Sequence, residues 1–242
     1  MFRRLADMSQ PKSKQHVCHV LYGIDKALAF EWIATHLDPG IKQSFILLGE
    51  KPGHLYSFLS EQGLPVHFIP FRGSKMQYIL VIWRLYWLFR KIRPNVVHAH
   101  LFPIPPLAVF AAWLARVPKR VHTRHYSTLH HDYAPHAVKL DKFANFFSTT
   151  IVAISMVVKD VLVNRENTSV EKVSVIHHGF DLNYFANPSV GKIAHLSEKY
   201  DLKTKSPIIG VIARFETLKG HKYIIEAFQE IIKKWPDAVL VL

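Results

Sequence analysis

Short apolar runs alternate along the chain with longer segments whose apolar residues recur at helical spacing. Val17 to Tyr22 ends at Gly23 and reads as a strand with its turn, followed by helical periodicity over Ala27 to Leu37. Ser44 to Leu48 and Val66 to Ile69 are further buried strands, with a helix over His54 to Gln62 between them. Val96 to Ala99, Lys119 to Thr123, Thr150 to Ile154 and Val173 to Ile176 continue the series. Helical segments over Leu107–Arg116 and Ala137–Phe147 separate some of these runs. Strands alternating with helices at this pitch predict an α/β fold, a Rossmann-like parallel sheet with helices on both faces.

The pattern restarts after a break. Residues 186–206 interrupt the periodicity with Asn187-Pro188-Ser189 and Lys203-Thr204-Lys205, and are read as a linker. That gives a basic tail over 1–14, a first domain over 15–185 and the start of a second over 207–242. The second opens with the apolar strand Ile208 to Ala213, then a loop carrying Arg214 and Lys219, then Gly220. A helix over His221–Trp235 follows, with Tyr223, Ile224, Ala227, Phe228, Ile231 and Ile232 on one face. Ala238 to Leu242 is the next strand. Arg214 at a strand's carboxyl end and Lys219 just before a helix point into one crevice. Ligands bind there in open parallel sheets, and a helix amino terminus favours anions. A diphosphate site and a pair of solvated surface cations both satisfy this spacing. Gly23, after the first strand, either lets backbone approach a ligand closely or serves as a turn glycine only.

The helix over Lys75–Arg93 has an ambiguous outer face. Gln77, Arg84 and Lys91 form a narrow polar stripe, and Ile79, Ile82, Leu85, Tyr86, Phe89 and Ile92 are assigned to the core. Leu80, Trp87 and Leu88 flank the polar stripe, where an ordinary soluble helix carries Lys or Glu. A core helix buried on most of its circumference and an interfacial helix on an anionic membrane surface both fit.

Charge and composition narrow the partners. The chain of 242 residues has 31 Lys and Arg against 18 Asp and Glu, a formal charge of +13, which suits phosphates or acidic lipid. No helix-turn-helix, zinc module or RNA-recognition motif is apparent, so nucleic acid is not an expected partner. One cysteine, Cys18, excludes an intramolecular disulfide and fits a reducing, cytoplasmic compartment. No signal peptide is read after the basic amino terminus. Asn95 to Ala115 lacks formal charge, but its prolines and histidines argue against a spanning helix. Sixteen histidines cluster most densely over His122 to Asp132, yet no metal-ligand spacing of a known kind occurs there, and no metal is expected.

Arg214-Phe-Glu-Thr-Leu-Lys219-Gly220-His221 followed by Tyr-Ile-Ile-Glu226-Ala-Phe228 resembles the start of the donor domain of the family 4 glycosyltransferases, which have the GT-B fold. Val121-His-Thr-Arg-His125, Asn95-Val-Val-His98-Ala-His100, Ile151-Val-Ala-Ile-Ser155 and Val175-Ile-His-His178-Gly-Phe-Asp181 resemble landmarks of the same family's amino-terminal domain. The likeness covers roughly residues 16 to 242. It implies a retaining, metal-independent transferase that moves a sugar from a nucleotide-sugar to a glycan or lipid-linked acceptor. Arg214 and Lys219 would contact the donor diphosphate. His125 would sit by the transferred sugar with Arg124 and Tyr126 as neighbours, and Gly23 would form an acceptor or phosphate loop. The family's glutamate-rich donor motif would lie beyond Leu242, so the isolated chain is expected to be inactive. A non-catalytic fragment that holds an acceptor or a membrane surface is the competing expectation, and peripheral attachment at the inner membrane face accompanies either.

Overall fold

The computed structural model describes residues 15–242, and the basic tail expected over 1–14 lies outside the described residues. The chain divides into two compact units, Met1–Phe180 and Asp181–Leu242. The first runs β1 (His16–Tyr22), α1 (Leu28–His36), β2 (Lys42–Gly49), α2 (His54–Glu61), β3 (Val66–Pro70), α3 (Lys75–Ile92) and β4 (Val96–His100). It continues through α4 (Ile104–Leu114), β5 (Lys119–Arg124), α5 (Leu129–Tyr133), α6 (Ala137–Phe147), β6 (Thr150–Ala153), α7 (Met156–Asp160) and β7 (Val173–Val175). The seven strands form one parallel sheet in the order β3-β2-β1-β4-β5-β6-β7. The winding reverses between β1 and β4. Loops there diverge to opposite faces and leave a crevice at the strands' carboxyl ends.

Alternation along each strand fills two layers. Cys18 and Val20 of β1, Ile46 and Leu48 of β2, and Val97 and Ala99 of β4 pack with α3, α4 and α6. Their sequence neighbours Leu21, Phe45 and Leu47 pack instead on Phe30 of α1 and on Leu55 and Leu59 of α2. Each such side chain contributes about 1.5–3 kcal/mol on burial, so the parallel strands read as near-continuous apolar runs. Cys18 is fully buried, and burial pushes its thiol up to about 12, as suits an inert core residue.

Helix α3 keeps its expected core face except at one position: Leu85 and Phe89 are buried, and Ile82, Tyr86 and Ile92 pack against the core. Val81, Leu85 and Phe89 form the buried row, whereas Ile79, assigned to the core by sequence, is 75% exposed. Ile79 lies two residues before Val81, about 200° around the helix, so once Val81 turns inward Ile79 must face out. Ser74 and Gln77 start the helix with a capping box.

The second unit holds α8 (Asn183–Ala186), α9 (Val190–Lys199), β8 (Ile208–Gly210), α10 (His221–Lys234) and β9 (Val239–Val241). Strands β8 and β9 are parallel, with Ile208 opposite Val239, so β8–α10–β9 is a single βαβ crossover. Two expectations change here. The segment expected as a linker, residues 186–206, carries the helix α9, capped by the Ser189 hydroxyl, which accepts from the Lys192 N–H at 3.4 Å. The strand expected over Ile208 to Ala213 ends at Gly210, and Ile212 is wholly exposed. Among the described residues its ladder partner is β9, which pairs up to Gly210–Val241, with the Val211 N–H donating to the Val241 carbonyl at 2.9 Å.

Candidate active site

At the switch point, the turn after β1 is fixed by Gly23. Its φ is +65°, its N–H donates to the Leu48 carbonyl at 3.0 Å, and no atom lies within 4 Å of where a Cβ would stand. The left-handed backbone, and not crowding, calls for glycine here.

Beside this turn the strands present a group of histidines. His19 of β1 and His98 of β4 are register partners, and His100 follows two residues on, so all three project to the α1–α2 side of the sheet. The His98 and His100 rings are 3.9 Å apart, and His19 lies 5.7 and 5.8 Å from them. Phe45 stacks on His19 and Phe30 meets His100 edge-on. His98 Nε2 shares a 2.8 Å hydrogen bond with the Thr123 hydroxyl. Neither ring nitrogen of His19 or His100 has a hydrogen-bond partner. Burial holds His19 down to about 4, and burial with neighbouring histidines keeps His98 and His100 well below their ordinary value, so these rings are neutral at pH 7. Their nitrogens lie within 4.8 Å of one another. They are the residues that could hold a metal ion among those described, and the group contains no carboxylate.

His125 extends the group just beyond β5. Its ring is 5.9 Å from His100 and stacks at 5.5 Å on His178. Burial, and then the nearby His178, push it down to about 4. A neutral imidazole results, with a buried Nε2 that has no protein partner. Such a group can donate to or accept from a hydroxyl, but it is not a charged acid.

The neighbours expected beside His125 have a different task. Arg124 turns inward, where Nη1 and Nη2 donate to the two Glu166 oxygens at 2.9 and 2.7 Å, and Nη1 also reaches Asp141 at 3.1 Å. The Tyr126 hydroxyl donates to Asp141 at 2.7 Å, and His130 lies 2.7 Å from the same carboxylate. Asn145 donates to Glu166 at 2.7 Å. The network clamps the end of β5 to α6 and to the turn after α7. It also accounts for two histidines of the dense cluster, since His130 meets Asp141 and His131 meets Glu166; separately, His122 bonds the Ser148 hydroxyl at 2.8 Å. A cavity of about 40 Å³ lies against Arg124, Tyr126 and Phe102, far below the size of a sugar pocket.

In the second unit, the predicted cations share one loop between β8 and α10. Arg214 pairs with Glu216 at 2.9 Å, and its side chain is 78% exposed. Lys219 closes a short turn, Thr217–Lys219, and Gly220 follows at φ +68° as the cap of α10. No side chain caps this helix start, so its first N–H groups stay available beside two cations.

Sequence reasoning passed over His19, and treated His98 and His100 only as landmarks. A signal was present: an alternating His-x-His in one apolar run, with a histidine in another run that register places beside it.

A sequence profile of Glycosyltransferase Family 4 matches residues 43–184, more than half of the chain. The UDP-Gal:alpha-D-GlcNAc-diphosphoundecaprenol alpha-1,3-galactosyltransferase of Escherichia coli is 28% identical over 250 residues, spanning 97% of this chain and 63% of that protein. Among solved structures, Anabaena Alr3699/HepE in complex with UDP and glucose superposes with a TM-score of 0.72 at 17% identity, over 92% of this chain and 59% of that one. A UDP-GlcNAc 2-epimerase from Neisseria meningitidis bound to UDP-GlcNAc gives a TM-score of 0.64 at 17% identity, over 93% of this chain and 64% of that one. These similarities at low identity speak to the fold. The chain spans about three fifths of the length of these relatives. The profile match and the doubly wound sheet converge: the chain belongs to Glycosyltransferase Family 4 and has a GT-B type of fold.

Proposed function

We propose that this chain provides the acceptor-side domain and the first diphosphate-binding loop of a retaining glycosyltransferase. Its donor is a uridine diphosphate sugar and its acceptor a lipid-linked, diphosphate-bearing glycan. The observation that carries the reading is the Arg214–Lys219 loop, set between a strand's carboxyl end and an uncapped helix start. The donor and acceptor of the Escherichia coli relative support the chemistry, as does the UDP bound in the Anabaena structure. In this reading Arg214 leaves Glu216 for the donor, and with Lys219 neutralises the diphosphate as it departs, without a metal ion. Preorganised charge aimed at a leaving group is commonly the largest catalytic term. His125, held neutral, hydrogen-bonds a hydroxyl of the transferred sugar, and Gly23 lets the acceptor's phosphate approach the backbone. The 242 residues alone do not turn over, since the second unit contributes only two strands toward a donor pocket.

The test uses the chain alone and the chain joined to the remaining length of the relative. Only the joined enzyme should transfer sugar from UDP-sugars, and chelator should leave its rate unchanged. In it Arg214→Ala and Lys219→Ala should lower kcat by roughly 10–100-fold, more than they raise donor KM. Lys233→Ala, on the outer face of α10, should do nothing. Loop variants indistinguishable from Lys233→Ala would remove the diphosphate assignment, and transfer by the chain alone would show that its site is complete.

A further inference from the structure

Two histidines in the middle of the sheet have no hydrogen-bonding role within the protein itself. His19 and His100 are each only 4% exposed, and neither ring nitrogen of either one has a partner among the described residues. A neutral imidazole carries one donor and one acceptor, and burying both without partners is costly. Packing does not call for them. Phe45 and Phe30, which touch the same two rings, show that aromatic side chains without nitrogen fill such space.

The backbone makes these nitrogens converge. Register sets His19 of β1 opposite His98 of β4, and alternation along β4 puts His100 on the same face. Each of the three residues then offers a nitrogen within 4.8 Å of the others. Strands at the centre of a sheet hold such a group more rigidly than loops do. His98 also has outer support, since its Nε2 shares a 2.8 Å hydrogen bond with the Thr123 hydroxyl, the kind of contact that orients a ligand imidazole. His98 is only partly buried, which gives an ion a way in from the crevice. The donor set selects the ion. Imidazoles suit zinc, copper and nickel, whereas magnesium, calcium and manganese prefer carboxylate and carbonyl oxygens, and the group contains no carboxylate.

We infer that His19, His98 and His100 form a binding site for a divalent ion of the zinc class, with water in the fourth place. The ion gives the buried ring nitrogens a partner and ties β1 to β4. It takes no part in moving sugar. The inference goes beyond the transfer reading and stands without it: a chain that binds zinc but never transfers sugar would sink only the latter.

The experiment titrates the untagged, chelator-treated chain with zinc chloride by calorimetry and follows its melting temperature. Binding should saturate at a single ion per chain and raise the melting temperature. Magnesium at the same concentration should leave it unchanged. His19→Phe and His100→Phe, each keeping a ring in place, should weaken zinc binding by at least about 100-fold, more than the loss of an outer partner costs. Thr123→Val removes only that outer partner and should weaken binding by roughly 10–100-fold. His195→Gln, at an exposed position of α9, is the control and should bind as wild type. If the Phe variants fail to fold, X-ray absorption of the zinc-loaded wild-type chain decides, and its first shell should hold three imidazole nitrogens at about 2.0–2.1 Å. A sulfur-containing or all-oxygen shell would overturn the inference. So would the lack of saturable zinc binding, magnesium acting as zinc does, or folded Phe variants that bind like His195→Gln, which marks adventitious capture by surface histidines.

Discussion

At the end of β5 the Arg124 guanidinium lies buried between Glu166 and Asp141, with side-chain exposures of 3%, 0% and 4%. Removing it strands two carboxylates in the interior, a loss on the order of 3–5 kcal/mol. Arg124→Met should therefore lower unfolding stability in urea by about that amount, with Glu166→Gln milder because Asn145 and Arg124 keep a polar partner. An Arg124→Met protein as stable as wild type would mean that the network is idle. His125 is the next residue along, so this clamp anchors the backbone from which the neutral imidazole projects. None of that was legible in the sequence, where Arg124 read only as a neighbour of His125. Its partners stand 17 and 42 positions away, and no local spacing announces a contact of that separation.

Elements were legible where a few residues settle them. The β1 turn is one: the apolar run closed by Gly23 ends in the turn expected there, and the structure gives Gly23 a left-handed backbone. Gly23→Ala should cost about 1–2 kcal/mol, read as a fall in melting temperature, although the site has room for a methyl group. Gly179→Ala, equally uncrowded and without positive φ, should be near neutral. Equal effects at both positions would show that backbone strain at Gly23 is absent. Helix α3 marks the limit of this kind of reading. Its span was clear from the pattern, but a sequence apolar on nearly every face permits more than one inward stripe. Packing against β1, β2 and β4 chose Val81, Leu85 and Phe89, and so turned Ile79 outward, while Trp87 keeps the outer face that the pattern assigned to it.

Across the whole first unit, several histidines are buried without charge, and their protons link folding to pH. Burial holds His19 and His125 down to about 4 and His122 to about 3, below the ordinary 6.5 that each regains on unfolding. Between those values the unfolded chain takes up protons that the folded chain refuses, so stability is full above pH 6.5 and falls on acidification. Each such histidine contributes up to about 1.4 kcal/mol per pH unit, and urea unfolding at pH 7.5, 6 and 5 should show midpoints dropping steeply together. Midpoints that stay level down to pH 5 would show that these rings protonate freely in the folded state. The sequence by itself determined the alternation of strands and long helices in the first unit and the loop bearing Arg214 and Lys219, because steric preference and burial act over a few neighbouring residues; it did not show α9 or the early end of β8. Only the tertiary structure decided which histidines meet, which carboxylates enclose Arg124, and that Ile79 of α3 faces out. Those outcomes depend on strand register and layer packing, which join residues far apart in the chain and leave no mark on the local pattern.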